Sequence, residues 1–181
     1  DNGSLSRADI AKLTGLTPAS VTNITKILIE DKFLIESKIG ESSGGRPPII
    51  LELNPNARYV IGIGIGVGVI DVVITNLSAQ IITKKSIIID NERYNYDLVF
   101  KKLINLINEV LESSELDKEK ILGVGVALHG IVNARTGESI HSLYYGWKNK
   151  NIKEDLEEEL ELTVYVDNDV RAMALGESWF G

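Results

Sequence analysis

The sequence predicts two units in one chain, a winged helix-turn-helix followed by an α/β lobe built on a mixed sheet. Three observations carry that reading. Two short segments with matched helix caps and a glycine between them run over residues 6–28, and two extended segments follow. Gly, Ser and Pro then cluster over residues 40–48, a composition that fits neither a helix nor a central strand. From Tyr59 onward, β-branched runs and amphipathic stretches follow the order βββαβ…αβα, which suits a mixed sheet covered by helices. The expected domains are residues 1–58 and residues 59–181.

The first helix opens at Ser6-Arg7-Ala8-Asp9. Ser6 is a good N-cap, and Asp9 stands where a capping box needs its reciprocal acceptor. Ile10, Ala11 and Leu13 supply its apolar stripe. Gly15 tolerates the left-handed backbone of a C-cap, so the helix is expected to end there. Thr17-Pro18 announces a second helix, with Thr as N-cap and Pro at the first helical position. Val21, Ile24 and Leu28 repeat at i, i+3, i+7 and predict its buried side. At about 100° per residue the far side carries Ala19, Thr22, Asn23 and Lys26, with Ser20 on the flank. These side chains are small, hydrogen-bonding or cationic. Asn bonds adenine in a bidentate way, Lys pairs with phosphate, and the helix N-terminus at Thr17 accepts one. Thr17, Ala19, Ser20, Thr22, Asn23 and Lys26 are the candidate DNA-contacting residues; the competing reading is an ordinary solvated helix face.

Residues 32–38 and Ile49 to Leu53 flank the polar loop and predict a hairpin wing. In Gly45-Arg46-Pro47, proline keeps the chain extended and glycine permits close approach. Arg46 then either enters a narrow minor groove, where the potential is most negative, or sits on a plain linker. A further packing helix is expected before residue 1. Together with the missing initiator Met and the end at Trp179-Phe180-Gly181, this leads us to expect a piece of a longer protein.

In the second unit, Tyr59 to Asn76 and Gln80 to Ile89 read as three antiparallel strands, the first pair bending near Val67-Gly68. Asp97 to Leu111 is an amphipathic helix with Leu98, Leu103, Ile104, Ile107 and Leu111 as its apolar positions. Ile121 to Leu128 is a buried strand, Lys153 to Leu160 a helix, Leu162 to Val166 a strand and Val170 to Trp179 a helix. Gly62, Gly64, Gly66 and Gly68 alternate along the first strand, but a dinucleotide fingerprint would need a helix directly after it. Asp167-Asn168-Asp169 falls between a strand and a helix, at the edge where open α/β sheets bind ligands. Asn168 and Asp169 there fit two roles: bonding sugar hydroxyls, with Asp able to act as base, or capping the helix. His129 closes another strand and faces the same expected edge, as a weaker sugar-contact candidate, a structural histidine being the competing reading. In Tyr144-Tyr145-Gly146-Trp147, Tyr145 is a second, weaker candidate for stacking on a sugar, packing being the other reading.

Composition narrows the classes. The net charge of −7 argues against a whole-surface nucleic-acid binder. Residues 1–58 hold seven basic and seven acidic side chains, so the acidity belongs to the second unit and one small DNA-binding module remains compatible. The chain has no Cys, which excludes disulfides, a thiol nucleophile and cysteine-ligated zinc among these residues. No signal peptide is visible, and a cytoplasmic location is expected.

Leu5-Ser6-Arg7-Ala8-Asp9-Ile10-Ala11, Leu16-Thr17-Pro18-Ala19-Ser20-Val21-Thr22, Ser42-Ser43-Gly44-Gly45-Arg46-Pro47, Gly123 to Val132, Gly146-Trp147 and Val166 to Glu177 occur in one order along nearly the whole chain. In that order they resemble the ROK group (repressors, open reading frames, kinases), and within it the xylose-repressor-like transcription factors. The resemblance implies an actin-like ATPase, or ribonuclease H-like, lobe. It implies that Gly45-Arg46-Pro47 is a DNA-contacting linker and that Asn168 and Asp169 hold the sugar. Kinases of the group look like Asp-x-Gly-Gly-Thr at the first phosphate loop, whereas this chain reads Gly64-Ile65-Gly66-Val67-Gly68. The carboxylate and the hydroxyl that would organise Mg²⁺–ATP are both replaced by glycine. His129 stands where many relatives have proline, and Tyr144 where many have asparagine.

The expected function is therefore a non-catalytic, sugar-responsive repressor of a carbohydrate operon. Xylose is the first effector, double-stranded operator DNA the partner, and a homodimer the working form. No cofactor is expected in these residues, and a zinc site is implied only for a second lobe by resemblance. A ROK-type sugar kinase with a fused helical domain is the alternative, and a protein-interaction module is a third reading.

Overall fold

The computed structural model describes residues 3–39, 47–89 and 95–180. The chain divides into two compact units, Asp1–Arg58 and Tyr59–Gly181.

The first unit contains β1 (Leu5–Ser6), α1 (Arg7–Thr14), α2 (Pro18–Glu30), β2 (Leu34–Ile39) and β3 (Ile49–Leu53). Ser6 caps α1 through a complete capping box: its Oγ accepts from Asp9 N at 3.2 Å while Asp9 Oδ2 accepts from Ser6 N at 3.1 Å. Gly15 ends the helix at φ 70°, a left-handed conformation that suits glycine. β3 lies between β1 and β2 in an antiparallel sheet, with a bulge between Glu36 and Lys38. Leu13, expected in the apolar stripe of α1, is instead 60% exposed, and no residue of that helix is fully buried.

The second unit contains β4 (Tyr59–Ile65), β5 (Val69–Asn76), β6 (Ile81–Ile88), α3 (Tyr96–Ser114), β7 (Ile121–Leu128), β8 (Ile131–Asn133), β9 (Glu138–Ser142), β10 (Trp147–Lys150), α4 (Ile152–Leu160), β11 (Val164–Asn168) and α5 (Asp169–Phe180). Its main sheet has the order β11-β7-β4-β5-β6. The β4–β5–β6 meander is antiparallel, while β7 runs parallel to β4 and β11 parallel to β7, so the sheet is mixed. Alternate residues Ile61, Ile63 and Ile65 of β4 and Ile70, Val72 and Ile74 of β5 point to one face, where the core forms. α3 covers this core with Val99, Leu103, Leu106, Ile107 and Val110, and α4 adds Ile152, Leu156 and Leu160. Leu98, expected on the buried stripe of α3, is 58% exposed, because Val99 begins the inward row. Tyr96 ties the two helices: its hydroxyl donates to Asp155, and burial followed by that carboxylate pushes the phenol far above its usual pKa.

The small antiparallel sheet β8–β9–β10 inside the β7-to-α4 connection has no counterpart in the sequence reading. Its strands are three to five residues long and carry polar residues such as Asn133, Glu138, His141 and Lys148 in place of the β-branched runs that mark β4 to β7.

One charged cluster gives the second unit a pH dependence. The Asp71 carboxylate accepts from Ser86 Oγ at 2.5 Å and pairs with Lys84 at 3.0 Å. The Ser86 hydrogen bond, against partial burial and with help from Lys84, holds its pKa below the usual 3.8. A carboxyl with a lowered folded pKa stabilises the fold above 3.8, and that contribution disappears as pH falls from there through the folded value. With the side chain 37% exposed, solvent screening limits the effect to under about 1 kcal/mol. Ser86→Ala is expected to shrink the loss of urea midpoint between pH 5 and pH 2.5 relative to wild type. An unchanged loss would assign the acid sensitivity elsewhere.

Candidate functional site

In the first unit, Thr17 caps α2 by accepting from Ser20 N at 3.2 Å, and Pro18 occupies the first turn. Val21 (1% exposed) and Thr25 (3%) face inward, with Leu28 and Ile29 half-buried beside them. Ile24, expected on the buried side, is 46% exposed. The helix is turned because Arg7 of α1 reaches across it. Arg7 Nε donates to Thr25 Oγ1 at 3.0 Å, and its other end bonds Glu36 at 2.8 Å. This draws a hydroxyl inward, where a period count expects isoleucine.

The turn leaves Thr17, Ala19, Thr22, Asn23 and Lys26 exposed and Ser20 half-buried. Thr22 spends its proton on the Pro18 carbonyl at 2.8 Å and keeps its lone pairs. The Asn23 carboxamide makes no hydrogen bond among the described residues. Lys26 lies 3.8 Å from Glu30, an exposed pair weak enough for a phosphate to displace. Arg46 lies outside the described residues.

In the second unit, β7 and β11 lie side by side in parallel, with Leu128 level with Asn168. Their ends therefore deliver His129, Gly130 and Asp169 to one sheet edge. His129 Nδ1 is 3.2 Å from Asp169 Oδ2, the two side chains being 40% and 31% exposed. With Nδ1–H assigned to that bond, Nε2 remains as an acceptor. Asn168 Nδ2 donates to Gly130 O at 3.0 Å and to Asp169 Oδ1 at 2.9 Å, while its Oδ1 accepts from Val170 N at 3.1 Å and Arg171 N at 3.2 Å. Asn168 thus caps α5 and braces the β7 end at once. The exposed polar atoms left over belong to His129 and Asp169. Together they form a small acceptor cluster suited to hydroxyls that donate.

Tyr145 does not join that cluster. It is 3% exposed, stacks on Trp147 (centroids 4.5 Å apart) and donates its hydroxyl to Gly66 O at 2.7 Å. Stacking on a sugar needs an open ring face, so its candidacy as a sugar contact is corrected: it is an internal pillar. Gly130, quoted above only within the span Gly123 to Val132, proves central. It adopts φ 121°, and a Cβ there would lie 2.6 Å from His141 O and 3.0 Å from Ser142 Cα.

Residues 60–181 match the ROK family. The chain belongs to the ROK family. Among its ROK relatives, the xylose repressor of Caldicellulosiruptor bescii is 32% identical over 185 residues, covering all of this chain and 45% of the relative. The DNA-binding transcriptional dual regulator NagC of Escherichia coli (strain K12) is 30% identical over 179 residues, covering 99% and 44%. The crystal structure of a ROK family transcriptional regulator, a homologue of the E. coli MLC protein, superposes with a TM-score of 0.80 at 29% identity, covering 97% of this chain and 44% of that one. A ROK family glucokinase from Streptomyces griseus, in complex with glucose and AMPPNP, shares the fold (TM-score 0.60, 21% identity, 68% and 37% covered). The chain spans just under half the length of the curated relatives it matches.

Against ROK kinases, the β4–β5 turn of this member is chemically bare. Residues 64–68 offer neither a carboxylate nor a hydroxyl, and the neighbouring Asp71 is engaged by Ser86 and Lys84. Residues 64–68 by themselves supply no side-chain ligand for Mg²⁺. Among the described residues, no group of three His, Asp or Glu side chains could hold a metal. Gly62 and Gly64 instead face an open groove of about 760 Å³ on the second side of the sheet, floored also by Gly125 and Ala127 and flanked by Tyr165 and Leu175. That groove does not include His129, Asn168 or Asp169. No helix among the described residues is long and apolar enough to cross a membrane.

Proposed function

We propose that this ROK member is part of a sugar-responsive transcriptional repressor, carrying its operator-reading unit and part of its effector lobe, without catalysis. The observation that carries the reading is the outward face of α2. A short, N-capped helix presents Ala19, Thr22, Asn23 and Lys26, an Asn carboxamide and a Lys among small side chains that allow close approach. The first unit is then a winged helix-turn-helix with α2 in the major groove and the β2–β3 hairpin as its wing. Arg46, which falls between β2 and β3 in the sequence, is the candidate for a minor-groove contact. The partner is an operator with two-fold symmetry read by a homodimer in the cytoplasm. The effector is a monosaccharide, xylose first, held by His129, Asn168 and Asp169. Relatives named xylose repressor and N-acetylglucosamine repressor support both halves.

The test is a gel shift of the full-length protein on its own upstream DNA across a panel of pentoses and hexoses. Operator affinity that no sugar changes would overturn the reading. Asn23→Ala is expected to cut discrimination between operator and scrambled DNA by about 1–3 kcal/mol. Lys26→Ala is expected to weaken both equally and to lower the salt slope by about one. Discrimination and affinity unchanged in both variants would favour a protein-interaction module. The second reading, a sugar kinase with a fused helical unit, is favoured by the shared fold and the Asp169 carboxylate at the strand edge. ATP turnover by the full-length protein, abolished by Asp169→Asn, would establish it.

A further inference from the structure

β4 continues directly from Arg58, the last residue of the first unit, and runs as one strand to Ile65. It is bonded along its length to β5 on one side and β7 on the other, which makes it a stiff element. At its far end two consecutive carbonyls are held by other parts of the second unit. Ile65 O accepts from His129 N at 2.9 Å, and Gly66 O accepts from Tyr145 Oη at 2.7 Å. The same His129–Gly130 end is braced by Asn168 Nδ2 on Gly130 O and packs backbone to backbone against His141 and Ser142. The contacts close a ring: the β4 end, the β7 end, the β9 end, the loop to Tyr145, and back to β4. Tyr145 is its clasp, spanning 79 residues of sequence.

The ring of Tyr145 already packs on Trp147, which a phenylalanine would do equally well. A buried hydroxyl is costly unless bonded, and this one is spent on the β4 end. We propose that Tyr145 is a positioning residue for the effector response: its hydroxyl on Gly66 O fastens the edge bearing His129, Asn168 and Asp169 to β4, so that monosaccharide occupancy of that edge displaces β4 and, through Arg58, biases the DNA-binding unit. The inference rests on the function proposed above.

Tyr145→Phe in the full-length protein tests it. Three quantities are read: the unfolding midpoint, sugar affinity by calorimetry, and operator affinity with and without sugar, using D-xylose, D-glucose and N-acetylglucosamine. The expected result is a folded variant whose sugar affinity and sugar-free operator affinity stay within about threefold of wild type. The sugar-induced weakening of operator binding should fall at least about tenfold, within the usual range of coupling between sites. A wild-type sugar response in Tyr145→Phe overturns the inference, as does a response that falls only in proportion to sugar affinity. Failure of the variant to fold also overturns it, since the hydroxyl would then be structural alone. A wild-type protein that binds operator but answers to none of the three sugars removes the effector reading and this inference together.

Discussion

Gly130→Ala is expected to destabilise the chain by about 3 kcal/mol or more, combining a strained non-glycine backbone with backbone overlap. At φ 121° an L side chain is disfavoured, and its Cβ would sit 2.6 Å from the His141 carbonyl oxygen, a main-chain atom with no rotamer to move. Relief requires the β7 end to withdraw from β9, which moves His129 and breaks the Asn168–Gly130 bond. The urea midpoint of the chain measures the loss. Gly125→Ala is the internal control: it lies three residues before Leu128 on the same strand, and its added Cβ meets nothing within 4 Å. It should change the midpoint little. Equal effects at the two positions would refute the assignment of Gly130 as the brace of the edge.

Asp169→Asn is expected to weaken monosaccharide binding by about 2–3 kcal/mol, on the order of 30- to 150-fold, the scale of a lost hydrogen bond to a charged group. The substitution is nearly isosteric and keeps an oxygen for Val170 N, which Asp169 Oδ1 now receives at 2.9 Å. It removes the charge beside His129 Nδ1. Stability should change by less than about 1 kcal/mol, since the partly exposed His129–Asp169 pair is screened by solvent. Calorimetric titration across the sugar panel, beside a thermal melt, separates the roles. A lowered melting temperature with wild-type affinity would assign Asp169 to helix capping alone.

What could be read beforehand followed from short-range rules. Ser6 with Asp9, Gly15 and Thr17-Pro18 marked the helix ends correctly, because caps depend on a few adjacent residues. The β4–β5 turn fell at Gly66–Gly68 for the same reason, with Gly68 at φ 75°. Ile24 and Leu98 went wrong because periodicity cannot foresee a cross-element bond such as Arg7 to Thr25, or a small shift in which row faces the sheet. Tyr145 stayed open between stacking on a sugar and packing because an aromatic loop reads alike whether its rings are open or stacked inward.

By itself the sequence determined the order of the main-sheet strands and the helices, the division of charge between units, the bare glycine turn, and the residue types at the β7 and β11 ends. All of these are fixed by local composition and by nearest neighbours along the chain. Only the tertiary structure decided that His129 pairs with Asp169, that Asn168 braces Gly130, and that Tyr145 bonds the β4 end. Those contacts join residues about 40 and 79 positions apart, and parallel strand pairing and burial bring them together without leaving any periodic trace.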